Sequence, residues 1–319
     1  MYVAEFDDLS LLADGVTRHL AYGKADDLDV VSSTDTQTHN VMLTAESCAF
    51  DAFDLKDVWL TKARWGAFTR QYVNSAALDT WLGLVADKQQ PGERGVSFMR
   101  TEAIEARRNA TIDRVWRRWG SCILGFGYRS LPRPQLTMHS RTSYVGYMGE
   151  VDLALAAVLA REVAEVVGLL PQDIAFTWHL EAAQFHGFKT LCWFLKSEGD
   201  RRKLMAVSAK DPRLSKYPTL RLARKNLENF ERMDAEGVLY SDMKFAQLLR
   251  LRQRYHTEVH GYEYGAQFEG GPERRGYRGG RYKPLPTIGV DALDLSAVRR
   301  KGGTEDDELM AGRLDEVDE

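Results

Sequence analysis

The stretch from residue 150 to 168, EVDLALAAVLAREVAEVVG, constrains the fold more than any other part of the chain. Ala, Leu and Val fill almost every position, so a helix here has almost no polar face to turn to water. It must be buried on most sides, and the rest of the chain must supply what surrounds it. Gly168 is a natural stop, because glycine enters the left-handed conformation that closes a helix without a Cβ penalty.

The surrounding elements are read from period and composition. Residues 1–23 mix apolar and acidic positions and read as an opening helix. Residues 28–55 are rich in Val, Thr and Ser, which predicts strands and turns. Over 57–88, Trp59, Trp65, Phe68, Tyr72, Leu78, Trp81, Leu82 and Val85 recur at helical spacings, which predicts two helices. Residues 95–140 read as strands and loops, with VSFMR, CILGFGYR and QLTMHSRTSYV as the strands. Residues 173–196 suit a strand followed by a helix, and 210–260 are charged and helical in pattern. The fold class expected is α+β, with one principal domain over 1–268. Residues 269–303 begin with the Gly/Arg-rich loop EGGPERRGYRGGRYK, and 304–319 form an acidic tail expected to be disordered.

A net charge of -3 leaves no global basic field, so no nucleic-acid partner is expected, although a local phosphate site needs only a few arginines. The three cysteines, Cys48, Cys122 and Cys192, are odd in number and widely spaced, which implies neither a disulfide framework nor a metal site. The N-terminus lacks the basic start and apolar run of a signal peptide, and no stretch reaches the apolar length of a membrane helix. A cytoplasmic protein with reduced thiols and no membrane partner is expected. No GxGxxG or GxxxxGK[ST] loop is present, which disfavours nucleotide folds built on those motifs.

Three segments occur in a telling order: Cys122 in GSCILGFGYR, Arg141-Thr142 in HSRTSYVGYMG, and Asp152 at the start of the long apolar helix. From Gly120 to about Gln184 this order resembles the core of thymidylate synthase, as does LTKARW at residues 60–65. The site pattern is most similar to the cytidylate (CMP or dCMP) hydroxymethylases. The resemblance implies a single domain with a large mixed β-sheet packed by helices, dimerising through the sheet. It implies Cys122 as the nucleophile, adding as thiolate to carbon 6 of a pyrimidine nucleoside monophosphate. Carbon 5 then attacks a one-carbon unit from 5,10-methylenetetrahydrofolate, and water captures the exocyclic methylene to give a 5-hydroxymethyl nucleotide. No metal is implied.

The residue chemistry suits these roles. A thiolate is both nucleophile and leaving group, and a neighbouring Arg141 would favour it. Arg141 would also grip phosphate with its planar fork, Thr142 adding a hydroxyl. Arg107 and Arg108 match an arginine pair that in the family reaches the partner subunit's phosphate, at a shorter spacing here. Asp152 stands where thymidylate synthases carry Asn. A carboxyl can accept from the amino group of cytosine and, when protonated, donate to its ring nitrogen, so Asp152 turns the expectation from uracil to cytosine. It also suits a first-turn helix carboxylate. His139, His179 and Gln184 are candidates for the base or sugar pocket.

Several family positions differ. Ile123 replaces the His after the cysteine, and Tyr144 replaces the folate-contacting Asp. Ala182 and Gln184 fall on the sugar-binding His-x-Tyr. The catalytic Glu falls near Gln71 or Tyr72, with Glu102, Glu105 and Glu150 as other carboxylates. Methylation of dUMP and binding without chemistry are the alternative functions.

Overall fold

The computed structural model describes residues 2–31, 35–50, 62–87, 96–101, 122–146, 148–186, 191, 193–195, 197–236 and 292–299. Along them the chain runs β1 (Tyr2–Phe6), α1 (Leu9–Tyr22), β2 (Asp29–Val30), β3 (Asp35–Ala45), α2 (Lys62–Tyr72), α3 (Ser75–Asp87), β4 (Val96–Arg100), β5 (Ile123–Arg129), β6 (Gln135–Tyr144), α4 (Gly149–Val167), β7 (Ala175–His186), α5 (Glu198–Met205), α6 (Pro218–Ala235) and α7 (Ser296–Arg299). The seven strands make one sheet in the order β1-β3-β7-β6-β5-β4, with β2 also paired to β3. β1 lies parallel to β3 and β6 parallel to β7, while the other pairs are antiparallel. The class is α+β with a large mixed sheet.

The apolar helix is α4, and its surroundings explain its composition. Every position from Val151 to Ala160 is buried. The helix packs on β6 and against both α1 and α3, so no side faces water for long. Leu153, Leu155 and Leu159 are each fully buried, a burial that stabilises by about 1.5–3 kcal/mol per side chain. Gly168 closes the helix at φ 71°, its N–H donating to the Ala164 carbonyl.

The opening segment differs from the expected helix. Tyr2–Phe6 form an edge strand beside Val41–Ala45, and helix α1 starts only at Leu9. The five residues YVAEF alternate between exposed and half-buried positions, the period of a strand. Asp8 marks the change, its side chain accepting from the Leu11 N–H at 2.9 Å as an N-cap. Part of the pattern expected over 210–260 is α6, preceded by a 3₁₀ turn at Pro212–Lys216. Residues 237–260, the Gly/Arg-rich loop and the acidic tail lie outside the described residues.

One feature of the sheet positions the site. Asn40 has φ 53°, a left-handed value that Asn tolerates better than most residues. Asn40 and Glu181 fall between the pairs His39↔Ala182 and Val41↔Leu180. Arg141 and Glu181 fall between Ser140↔Leu180 and Thr142↔Ala182. The β5–β6 register shifts between Ile123 and Gly125. An irregularity thus crosses four adjacent strands on one line. On one side of it Met138, Ser140, Trp178 and Leu180 are buried, and on the other Ser143, Ala183 and Phe185 take over. The alternation slips by one residue, and the slip falls at Arg141-Thr142.

Candidate active site

Cys122 immediately precedes β5, where this line reaches the strand. Its carbonyl accepts from the Arg141 N–H at 2.7 Å, which ties the two predicted residues through the backbone. The Thr142 hydroxyl lies 3.6 Å from the Cys122 sulfur and donates to it. From the helical layer comes Tyr72, the last residue of α2 and almost wholly buried. Its hydroxyl accepts from the Cys122 N–H at 3.4 Å. Tyr72 therefore occupies the neighbourhood where the resemblance to thymidylate synthase implies a Glu, and it brings a neutral phenol instead of a carboxyl.

Asp152 projects from the first turn of α4 and is 2% exposed. It does not cap the helix. The Ser143 hydroxyl donates to its Oδ2 at 2.6 Å, joining helix to strand just beyond the slip. Burial pushes the Asp152 carboxyl up to about 7, with the Ser143 bond opposing the rise. A carboxyl at that value is protonated in about half the molecules near neutral pH.

The thiol of Cys122 is raised above its ordinary value, first by burial and next by the charge of Asp152. The Thr142 bond, the charge of Arg141 and the Tyr72 bond pull it down. Arg141 does favour the thiolate as expected, but burial and Asp152 together outweigh it, because Arg141 is exposed and solvent screens its charge. Tyr72 is itself raised well above its ordinary range, by burial first and then by Cys122 and Asp152. The resting site holds a thiol and a phenol beside a carboxyl that changes charge close to neutrality.

The other predicted residues divide. Gln184 pairs with Tyr144 across β6–β7, and its amide donates to the Gln37 carbonyl oxygen at 2.7 Å. Gln37 in turn meets His39 at 2.8 Å. The Tyr144 phenol is raised by burial, then by the charges of Asp35 and Cys122. Gln184 and Tyr144 thus stand at the rim of the cysteine site. His139 and His179 do not join Asp152. They alternate with Met138, Ser140 and Trp178, which are buried in the core, so their rings turn to the other side of the sheet. There they stack at 4.9 Å, with Phe98 edge-on to His139. Burial lowers both imidazoles, so a stacked neutral pair is the form favoured. Glu150 is half-buried in the first turn of α4. Arg107, Arg108, Glu102 and Glu105 lie outside the described residues.

Two members were not legible in the sequence as partners. Ser143 follows Arg141-Thr142 but carries no motif of its own, and it meets Asp152 only because β6 turns directly into α4. Tyr72 reads as an aromatic at helical spacing that falls near the implied catalytic Glu, and only the fold sets its hydroxyl against Cys122. Among the described residues no group of three or more His, Cys, Asp and Glu side chains is placed to hold a metal, and no helix is long and apolar enough to cross a membrane. No protein-family model matches the chain, and no curated protein matches it.

Proposed function

We propose that the chain is a cytosine nucleotide hydroxymethylase of the thymidylate synthase type, acting on CMP or dCMP through Cys122. The observation that carries this reading is the buried Asp152, set at about 7 and held by Ser143 beside a cysteine that Tyr72 and Thr142 both touch. A neutral carboxyl is able to pair with a pyrimidine edge, and a thiol next to it is placed for addition to carbon 6. Thiolate addition moves the electrons of the 5,6 double bond onto carbon 5, which then takes a one-carbon electrophile or exchanges its proton with water. Arg141 and Thr142 form the phosphate end, and Gln184 and Tyr144 the sugar rim.

The fit to a folate donor is less direct. Tyr144 offers a phenol where the family uses a carboxylate, so no step is assigned here through methylenetetrahydrofolate. The same reading puts a second copy of the chain on the sheet face that carries His139, His179 and Phe98.

Release of tritium from 5-tritiated CMP, dCMP, UMP and dUMP tests the core of the reading, because exchange needs thiolate addition and no donor. Release from the cytosine nucleotides, abolished by Cys122→Ala, is expected. Products with methylenetetrahydrofolate, read by mass spectrometry, should gain a hydroxymethyl group. A methyl gain on dUMP alone would overturn the cytosine assignment. The raised thiol of Cys122 favours a second reading, nucleotide binding without chemistry, which predicts binding with no tritium release from any of the four.

A further inference from the structure

A protonated carboxyl by itself does not tell cytosine from uracil. Cytosine presents an acceptor at ring nitrogen 3 and a donor at position 4, while uracil presents the reverse. A carboxylic acid has one donor oxygen and one acceptor oxygen, and moving the proton from one to the other converts it from a complement of the first edge to a complement of the second. Discrimination therefore needs something that fixes the proton on one oxygen.

Ser143 is placed to do this. The residue is 2% exposed, and its hydroxyl donates to Oδ2 of Asp152 at 2.6 Å. An oxygen already accepting a hydrogen bond in a buried site serves as the carbonyl oxygen, which leaves the proton of the neutral acid on Oδ1. Among the described residues Oδ1 has no hydrogen bond, so it is the oxygen left to donate. Among the described residues, the titratable groups on which the charge of Asp152 acts are Cys122 and Tyr72, with Arg141 and Tyr144 beyond the cysteine. None of these is hydrogen-bonded to the Asp152 carboxyl among the described residues.

We infer that Ser143 is the specificity-determining positioning residue of the site, fixing Asp152 in one donor–acceptor pattern and so selecting one pyrimidine edge over the other. This rests on the functional reading above, under which the selected edge is that of cytosine. Ser143 acts through Asp152 and need not touch the base.

The test is nucleotide affinity by calorimetry for CMP and UMP between pH 5.5 and 8.5, with the wild type, Ser143→Ala and Ser143→Thr. The wild type should prefer CMP by about tenfold or more, the size expected when two hydrogen bonds are reversed. Its CMP affinity should fall as pH rises past the Asp152 midpoint. Ser143→Ala should bring the two affinities to within about threefold, by strengthening UMP as well as weakening CMP, because the proton is then free to move between oxygens. It should also move the pH midpoint upward, since the lost bond had opposed the rise. Ser143→Thr keeps the hydroxyl and should restore the preference. A Ser143→Ala protein that binds with unchanged selectivity overturns the assignment and leaves the functional reading standing. A wild type that binds neither nucleotide overturns both. Should Ser143→Ala not fold, a wild-type CMP:UMP ratio that stays constant while the acid titrates also overturns it.

Discussion

Replacing Asp152 with asparagine removes a buried carboxyl whose ordinary 3.8 has been pushed up to about 7. In the unfolded chain that carboxyl releases its proton near its ordinary value, while in the folded chain it keeps it to near neutrality. Between the two, the folded state binds the extra proton, so stability falls as pH rises across this window and levels off above it. The slope is about 1.4 kcal/mol per pH step, and the whole window corresponds to about 4 kcal/mol. For a domain whose net stability is about 5–15 kcal/mol this is a large fraction. The amide of the Asp152→Asn protein would have no such dependence and could still meet the Ser143 hydroxyl. Urea unfolding of both proteins at intervals from pH 4 to pH 8 gives the difference in stability directly, with all other groups cancelling. The Asp152→Asn protein should gain on the wild type by about 4 kcal/mol over that range, with the gain flattening beyond pH 7. A difference that stays constant within about 0.5 kcal/mol would refute the assignment of Asp152 as a buried group that ionises against its surroundings.

Tyr72→Phe removes a bond that favours the Cys122 thiolate, so the pH midpoint for alkylation of Cys122 by iodoacetamide, located by mass spectrometry, should rise, and the rate at pH 8 should drop by about threefold or more. Cys48, fully buried, should react only on unfolding in either protein. Leu155→Ala opens a cavity under α4 where the side chain is fully buried and should lower unfolding stability by about 2–5 kcal/mol in urea. Phe98→Glu places a charge on the half-exposed sheet face carrying the histidine stack, and sedimentation should show a monomer, against a dimer for the wild type.

What was legible in the sequence follows physical reach. α4 announced itself because burial on every side leaves a helix no polar stripe. Strands β4, β5 and β6 were legible from their β-branched and aromatic runs between Gly and Pro. β1 was not, because five residues of alternation run straight into an amphipathic helix, and the longer period dominates the window. The site was half legible. Cys122, Arg141, Thr142 and Asp152 stand in a recognisable order, and the fold brings all four to one place around the slip in the sheet. That slip depends on Asn40 and on pairing among four strands, which no local pattern records. His139 and His179 lie before the slip and stack on the sheet face turned away from Asp152, a separation that their short distance along the chain from the Arg-Thr pair does not reveal.

The two titrating groups of the site bear on one another. The charge of Asp152 is the second largest cause of the raised Cys122 thiol, after burial. A ligand edge that holds Asp152 in its neutral form removes that charge, and what remains acting on the thiol, besides burial, is Thr142, Arg141 and Tyr72, all favouring the thiolate. A phosphate drawn to Arg141 would act in the opposite sense, by screening the nearest positive charge. The balance therefore turns on the base and not on the phosphate. Under the proposed function, a pyrimidine that fits Asp152 would lower the cost of forming the Cys122 thiolate, whereas free phosphate or an ill-fitting base would leave Cys122 as a thiol. On that reading, selectivity at Asp152 and reactivity at Cys122 would be one electrostatic arrangement, with the thiolate favoured only beside a ring that fits Asp152.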